Sequence, residues 1–316
     1  MCGSKRVWVS ELIFILLVVK GWWSEGCLEQ ERYALLQLRH FFNDDQCLQN
    51  CWVDDENYSD CCQWERVECN DTTGRVIKLD LRDTRNWESA EWYMNASLFT
   101  PFQQLESLYL IGNNIAGCVE NEGLDTLSRL NNLKFLYLDY NHFNNSIFSS
   151  LGGLSSLRNL SLIGNRLIGS IDIKGLDSLG NLEELDMSDN AINNLVIPKD
   201  YRGLRKLNTL YLGGTEIAMI DGSKVLQSIG SLPSLKTLYL SSTNFKGTVV
   251  NQELHNFTNL EELILDDSDL HISQLLQSIA SFTSLKYLSM GFCTLTGALH
   301  GQGKLRVSEA FMILIR

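Results

Sequence analysis

The sequence predicts an α/β solenoid closed at its N-terminal end by a cysteine-rich helical cap. Three observations carry that prediction. A Leu-x-x-Leu-x-Leu segment begins at Leu105, Leu133, Leu157, Leu182, Leu207, Leu235, Leu260 and Leu285, at intervals of 28, 24, 25, 25, 28, 25 and 25 residues. After two further residues each copy reaches a small or polar one: Asn113, Asn141, Asn165, Asn190, Thr215, Thr243, Ser268 and Cys293. Six of the nine cysteines fall between Cys27 and Cys69, ahead of the repeats.

The repeat follows from strand geometry. The last two Leu of each copy alternate with outward residues, the period of a β-strand. One coil cannot bury its own Leu, whereas stacked coils share a continuous core. The polar residue after the strand lies inside the turn, where its amide can bond the backbone of adjacent coils, about 1 kcal/mol for each net bond. Thr, Ser and Cys do less than Asn, so the last four coils should have the weaker ladder. Cys293 at this position reads as a small buried residue. A degenerate earlier copy, Val76-Ile77-Lys78-Leu79-Asp80-Leu81, supplies a starting strand.

Ahead of the repeats, Leu28, Leu35, Leu38 and Phe42 fall on one helical face that could lie across the open end of the core. The segment Cys61-Cys62-Gln63-Trp64-Glu65-Arg66-Val67-Glu68-Cys69 follows. Residues 1–26 read as a secretory signal: Lys5 and Arg6, an apolar run from Leu12 to Val19, then Ser24 and Gly26 before Cys27. That run is shorter than the roughly 20 residues of a spanning helix.

Several coils continue past the polar residue with an apolar, a small and another apolar residue, as in Leu167-Ile168-Gly169-Ser170-Ile171 and Leu295-Thr296-Gly297-Ala298-Leu299. With the paired Cys, Trp and closing Cys of the cap, this resembles the plant-type extracellular leucine-rich repeat and its N-terminal cap. The resemblance implies a leucine-rich-repeat right-handed superhelix with a parallel concave sheet and a disulfide-bonded helical cap. It implies the pairs Cys27–Cys61 and Cys62–Cys69. Cys47 and Cys51 are additional, and they pair with each other if their segment is not helical, or elsewhere. That family has Gly where Arg66 stands, so the turn there is expected to differ. Only Val196-Ile197-Pro198 keeps the family's Pro, so a second strand is expected to be incomplete in most coils. The organisation is then a signal (1–26), the cap and first strand (27–104), eight repeats (105–303) and a non-repeat tail (304–316).

Composition narrows the function. In 316 residues, 26 Lys and Arg face 38 Asp and Glu, a net charge of −12. That balance argues against a nucleic-acid partner, which needs a basic face. No phosphate loop, zinc helix or nucleophile elbow is present. The five His (His40, His142, His255, His271, His300) share no spacing. No cofactor and no metal are expected, and no catalytic residue is assigned.

The concave face is the candidate site. The position between the last two apolar residues of each strand runs Tyr109, Tyr137, Ser161, Asp186, Tyr211, Tyr239, Ile264 and Ser289. Neighbouring coils set these about 4.8 Å apart, which makes two aromatic pairs. Flanking columns add Asp139, Glu183, Glu184, Asp189, Glu261, Glu262, Asp266 and Asp267. Tyr gives large contact area at low entropic cost. The expected ligand residues are Tyr109, Tyr137, Asp139, Glu183, Asp186, Tyr211, Tyr239, Glu261 and Asp266, for a peptide or protein carrying basic residues. The bland reading is that Tyr suits strands and acids keep the face soluble.

Six sequons, at Asn57, Asn70, Asn95, Asn144, Asn159 and Asn256, suit a secreted glycoprotein. Asn159 would place a glycan on the concave face. The tail from Lys304 starts no coil in register; it is expected either to mark a truncation that leaves an open strand edge, or to fold as a short cap with Phe311, Ile313 and Leu314. Over 27–303 the chain resembles the ectodomain of plant receptor-like proteins, which implies perception of an extracellular cue at the plasma membrane and signalling through a partner receptor kinase. Membrane attachment would come from a missing C-terminal segment. The alternatives are a secreted inhibitor similar to plant polygalacturonase inhibitors, or a soluble decoy.

Overall fold

The computed structural model describes residues 27–42, 46–55, 60–120, 123–198, 201–214, 220–245, 259–271, 275, 282–296, 305–306 and 312–314. The signal segment 1–26, the sequons Asn57 and Asn256, the ladder residue Thr215 and the tail residue Phe311 lie outside them.

The cap carries helices α1 (Glu29–Phe41) and α2 (Gln46–Cys51), then strands β1 (Val67–Cys69) and β2 (Val76–Asp80). Leu35, Leu38 and Phe42 are fully buried, as their shared face requires, and Ala34 joins them. Leu28 does not: it precedes the helix at the N-cap and stays 42% exposed. Glu31 turns inward instead, fully buried, where it accepts from Arg75 Nε at 2.9 Å and from the Val76 N–H at 3.2 Å. A carboxylate thus ties α1 to the first repeat strand. The pairs Cys27–Cys61 and Cys62–Cys69 are both formed, with Cα atoms 5.6 and 5.5 Å apart. The Cys47–Cys51 segment is helical, and the Cys47 side chain lies outside the described residues. Arg66 has a φ of +71°, the left-handed conformation that Gly would adopt without cost.

Through the repeats the strands are β3 (Trp92–Met94), β4 (Ser107–Tyr109), β5 (Ile115–Cys118), β6 (Phe135–Tyr137), β7 (Asn159–Ser161), β8 (Ile168–Asp172), β9 (Glu184–Asp186) and β10 (Ala191–Val196). The next are β11 (Thr209–Tyr211), β12 (Ile220–Asp221), β13 (Thr237–Tyr239), β14 (Thr243–Phe245) and β15 (Glu262–Ile264). The last are β16 (Asp269–His271), β17 (Tyr287–Ser289), β18 (Thr294–Thr296), β19 (Leu305–Arg306) and β20 (Met312–Leu314). Short helices α3 (Ile147–Leu151) and α4 (Gly222–Ile229) lie between strands of two of the coils.

One sheet of eleven strands, in the order β1-β2-β4-β6-β7-β9-β11-β13-β15-β17-β20, forms the concave face. From β2 to β17 every pair is parallel and in register, so Leu108 stands beside Leu136 and Leu136 beside Leu160. The leucine spine is buried throughout: Leu108, Leu110, Leu136, Leu138, Leu162, Leu185, Leu210, Leu238 and Leu263 are all inaccessible. Each such side chain contributes roughly 1.5–3 kcal/mol of burial that a lone coil could not obtain.

One expectation is corrected and one alternative is decided. A second strand follows the ladder position in all coils but the Asn141 one, forming sheets β3–β5, β8–β10 and β12–β14–β16–β18–β19. Pairing there needs only extended backbone, and the missing Pro is no obstacle. Of the two alternatives for the tail, the structure matches the short cap, and the edge of the last repeat strand is not open. Segments of the tail pair antiparallel with it, β20 on β17 and β19 on β18.

Candidate functional site

The outward positions of the concave sheet form columns, each held by interstrand backbone bonds. The first column runs Glu106, Lys134, Arg158, Glu183, Asn208, Lys236, Glu261 and Lys286, each N–H donating to the carbonyl of the member before it at 2.7–2.9 Å. Its charges neutralise one another: Lys134–Glu106 at 2.8 Å, Arg158–Glu183 at 3.7 Å, and Glu261 between Lys236 at 3.3 Å and Lys286 at 2.5 Å. Hydrogen bonds from Lys286 and then Lys236 hold the Glu261 carboxyl below the usual range. Glu183 and Glu261, both expected to face a ligand, are engaged by these cations.

The tyrosines behave as their spacing requires. Tyr109 and Tyr137 stack with ring centroids 4.6 Å apart and planes 10° from parallel. Tyr211 and Tyr239 stack at 4.2 Å and 16°. All four are half-buried, open on the concave side. The cap adds a feature that the repeat pattern did not announce: Arg82 lies over the Tyr109 ring at 5.0 Å and Lys78 at 5.8 Å. Arg82 is also bound to Asp80 at 2.8 Å, and Lys78 to Glu68 at 3.2 Å.

Asp139 and Asp266 hold the next coil as well as carrying charge. Asp139 is 6% exposed and its Oδ1 accepts from the Ile163 N–H at 3.0 Å. Asp266 Oδ1 accepts from the Gly291 N–H and the Ser289 hydroxyl, both at 2.6 Å. Asp186 Oδ1 accepts from Ser188 N–H at 2.9 Å and its charge faces the concave space. Burial raises both the Asp139 and Asp186 carboxyls above the ordinary aspartate range.

Sequence reasoning passed over Tyr140. It occupies the position just before a ladder residue, where φ is positive in coil after coil: Gly112 (+66°), Tyr140 (+51°), Gly164 (+61°), Asp189 (+55°), Ser242 (+55°), Asp267 (+57°) and Phe292 (+54°). A bulky side chain in that conformation is an outlier. Tyr140 is 57% exposed and its ring rests on Gly164, where a Cβ would come within 2.6 Å of Cδ1. The signal was available in the column itself, where Tyr140 and Phe292 are aromatics among Gly, Asp and Ser.

Of the sequons, Asn70, Asn95 and Asn144 lie in turns, each Oδ1 accepting from the N–H two residues on at 2.9–3.0 Å. Asn159 lies on the concave sheet and its Nδ2, the atom a glycan would occupy, donates to Glu184 Oε2 at 2.6 Å. Cys293 is buried, with its thiol pushed up to about 11 by that burial and its Sγ donating to Leu265 O at 3.0 Å. It is a ladder residue rather than a reactive thiol. Among the described residues no three of His, Cys, Asp and Glu are grouped so as to hold a metal ion, and no helix is long and apolar enough to cross a membrane.

Comparison with known proteins agrees with this architecture. Residues 28–70 match the family described as Leucine rich repeat N-terminal domain, and residues 132–154 and 155–217 match leucine-rich-repeat families. Cuscuta receptor 1 of Solanum lycopersicum is 34% identical over 264 residues, 82% of this chain and 21% of that protein. Receptor-like protein 9a of Arabidopsis thaliana is 39% identical over 183 residues, 58% of this chain and 19% of that protein. The chain therefore spans about a fifth of the length of these curated relatives. The Arabidopsis receptor kinase HAESA, solved with the peptide hormone IDA and the co-receptor SERK1, shares the fold with a TM-score of 0.56 at 24% identity, over 85% of this chain and 46% of that one. Cap, repeat and relatives agree on a leucine-rich-repeat chain, similar to plant receptor-like proteins over about a fifth of their length.

Proposed function

We propose that the chain is the extracellular, non-catalytic ligand-binding segment of a plant cell-surface receptor-like protein, which perceives a peptide or protein cue on its concave face and signals only through a partner kinase. The observation that carries this reading is the pair of stacked tyrosine couples on a parallel sheet, half-buried and open on one side. Stacked rings are already ordered, so a ligand loses little entropy in settling on them. Similarity to receptor-like proteins supports the plasma-membrane setting, and the structure solved with a peptide hormone supports a peptide-sized ligand for this fold.

The test is a selection of a phage-displayed random dodecapeptide library on the secreted chain. Enriched peptides are expected to lose about tenfold or more in affinity, some 1.4 kcal/mol, on a Tyr211→Glu/Tyr239→Glu or a Tyr109→Glu/Tyr137→Glu variant. The reading fails if no enriched peptide responds to either double substitution.

A further inference from the structure

The coil that lacks a second strand leaves a groove beside β5. After Phe143 its chain turns at Asn144 and Asn145 and enters α3, so β5 pairs with β3 on one side and with no strand on the other. Towards β8 the gap is closed by Asn145, whose Oδ1 accepts from the Ile168 N–H at 3.0 Å and whose Nδ2 donates to Ile168 O at 2.8 Å. Towards β5 it stays open, as a cavity of about 410 Å³.

The lining of this cavity is amphipathic. Phe143 and Ile147, 2% and 3% exposed, give it an apolar base, and Asp125 and Ser150 supply polar groups. Tyr93 is 60% exposed, and its ring lies over Gly117, where a Cβ would come within 3.3 Å of Cε1. A flat exposed ring beside polar side chains suits a sugar, whose C–H face packs on the aromatic while its hydroxyl and amide groups find hydrogen bonds. The Cys118 thiol also lines the cavity; burial pushes it up to about 11, so it stays protonated and no reactive centre is built there.

The wall of the groove indicates its occupant. Asn144 lines it and begins the sequon Asn144-Asn145-Ser146. Its Oδ1 accepts from the Ser146 N–H at 2.9 Å, while its Nδ2, the atom that would carry a glycan, makes no hydrogen bond among the described residues. At Asn159, by contrast, the Nδ2 is taken up by Glu184. We propose that the first N-acetylglucosamine units of an Asn144-linked glycan are seated in this groove against Tyr93, covering the side of β5 that the missing strand leaves bare. The sugar is tethered at its site, so its effective concentration is high and a weak stacking contact suffices to hold it. A glycan here is part of the packing of two coils as well as a solubilising surface group.

The experiment uses the secreted chain, produced with oligomannose glycans. Glycopeptide mass spectrometry is expected to find sugar at Asn144, and a bare Asn144 overturns the inference. Ser146→Ala then abolishes the sequon while keeping Asn144 and its turn, because the Ser146 N–H remains. Labelling of Cys118 by N-ethylmaleimide, read by peptide mapping, is expected to run about fivefold or more faster in Ser146→Ala than in the parent. Hydrogen exchange at Gly117 and Cys118 should quicken with it, and Asn70→Gln should leave both readings unchanged. On a Tyr93→Ser background, where the stacking platform is gone, loss of the glycan is expected to alter the labelling by less than about twofold. Trimming the parent with endoglycosidase H to the first N-acetylglucosamine should retain most of the protection. No acceleration in Ser146→Ala, or equal acceleration with and without Tyr93, overturns the proposal. Protection lost on trimming overturns it too, because the shield would then be the outer branches and not a seated sugar.

Discussion

The first four coils and the later ones solve the same problem with different groups. In the first four, Asn closes each turn. Asn141, 2% exposed, is representative: its Oδ1 accepts from the Asn113 and Ile115 N–H groups at 3.1 and 3.0 Å, and its Nδ2 reaches Leu110 O, Leu138 O and Asp139 O at 2.8–3.1 Å. Asn113, Asn165 and Asn190 repeat the pattern. In the later coils Thr243 reaches Leu240 O of its own coil, Ser268 reaches back to that same Leu240 at 3.4 Å, and Cys293 to Leu265 O at 3.0 Å. A hydroxyl or thiol has one hydrogen to donate where an amide has two, so fewer carbonyls are served.

The later coils make up the difference with backbone. Thr243 itself begins β14, and β12, β14, β16 and β18 pair in one continuous parallel run. The earlier coils have only isolated two-stranded pairs on that side. Side chains therefore stitch one half and main chain stitches the other. A single substitution can undo the first arrangement, whereas the second is spread over many bonds.

The comparison can be broken at several points. Asn141→Ala should have the largest effect, a loss of about 3 kcal/mol or more, because two buried N–H groups and a carbonyl lose their partner. Faster hydrogen exchange at the Asn113 and Ile115 amides would show it, and unchanged protection would refute the side-chain account. Glu31→Ala at the cap is expected to cost about 3 kcal/mol, since it leaves Arg75 and the Val76 N–H without their carboxylate. The cap would then open before the repeats, visible as early exchange in β2. Cys293→Ala removes one weak donor from a half stitched by backbone and should cost about 1 kcal/mol or less. A cost equal to that of Asn141→Ala would abolish the distinction between the halves.

The smallest effect is a pH dependence. Asp186 has a raised pKa in the folded chain, so the fold binds this proton more tightly than the unfolded chain does, and its ionisation opposes folding as pH rises. Asp186→Asn should therefore be slightly more stable than the parent at neutral pH, with the advantage vanishing as pH falls through the raised value. A melting series of the parent and the variant from pH 7 downward checks the sign. Glycan mapping of secreted protein adds a last check. Asn70, Asn95 and Asn144 are expected to be occupied and Asn159 bare, and a glycan found at Asn159 would place sugar across the central strands.

Much of this was legible in advance because it depends on spacing. The interval of the Leu segments determined the strands, their register, the buried spine and the two tyrosine couples, since parallel strands in register bring equivalent residues side by side. The weaker ladder of the later coils also follows from the residue types alone. The cap disulfides were legible through resemblance.

What only the tertiary structure decided involves groups whose positions depend on neighbours outside the repeat pattern. Glu183 and Glu261 look like ligand contacts until Arg158, Lys236 and Lys286 are seen to reach them. Asp139 and Asp266 look exposed until the backbone of the next coil donates to them. The second sheet depends on how closely adjacent coils approach, which no single coil encodes, and Leu28 yields its place to Glu31 because Arg75 and the Val76 N–H need a carboxylate there. Local periodicity sets where each side chain points. Which charges cancel, and which are left for a partner, is settled only when distant coils are packed together, because electrostatic pairing depends on distance in space and not along the chain.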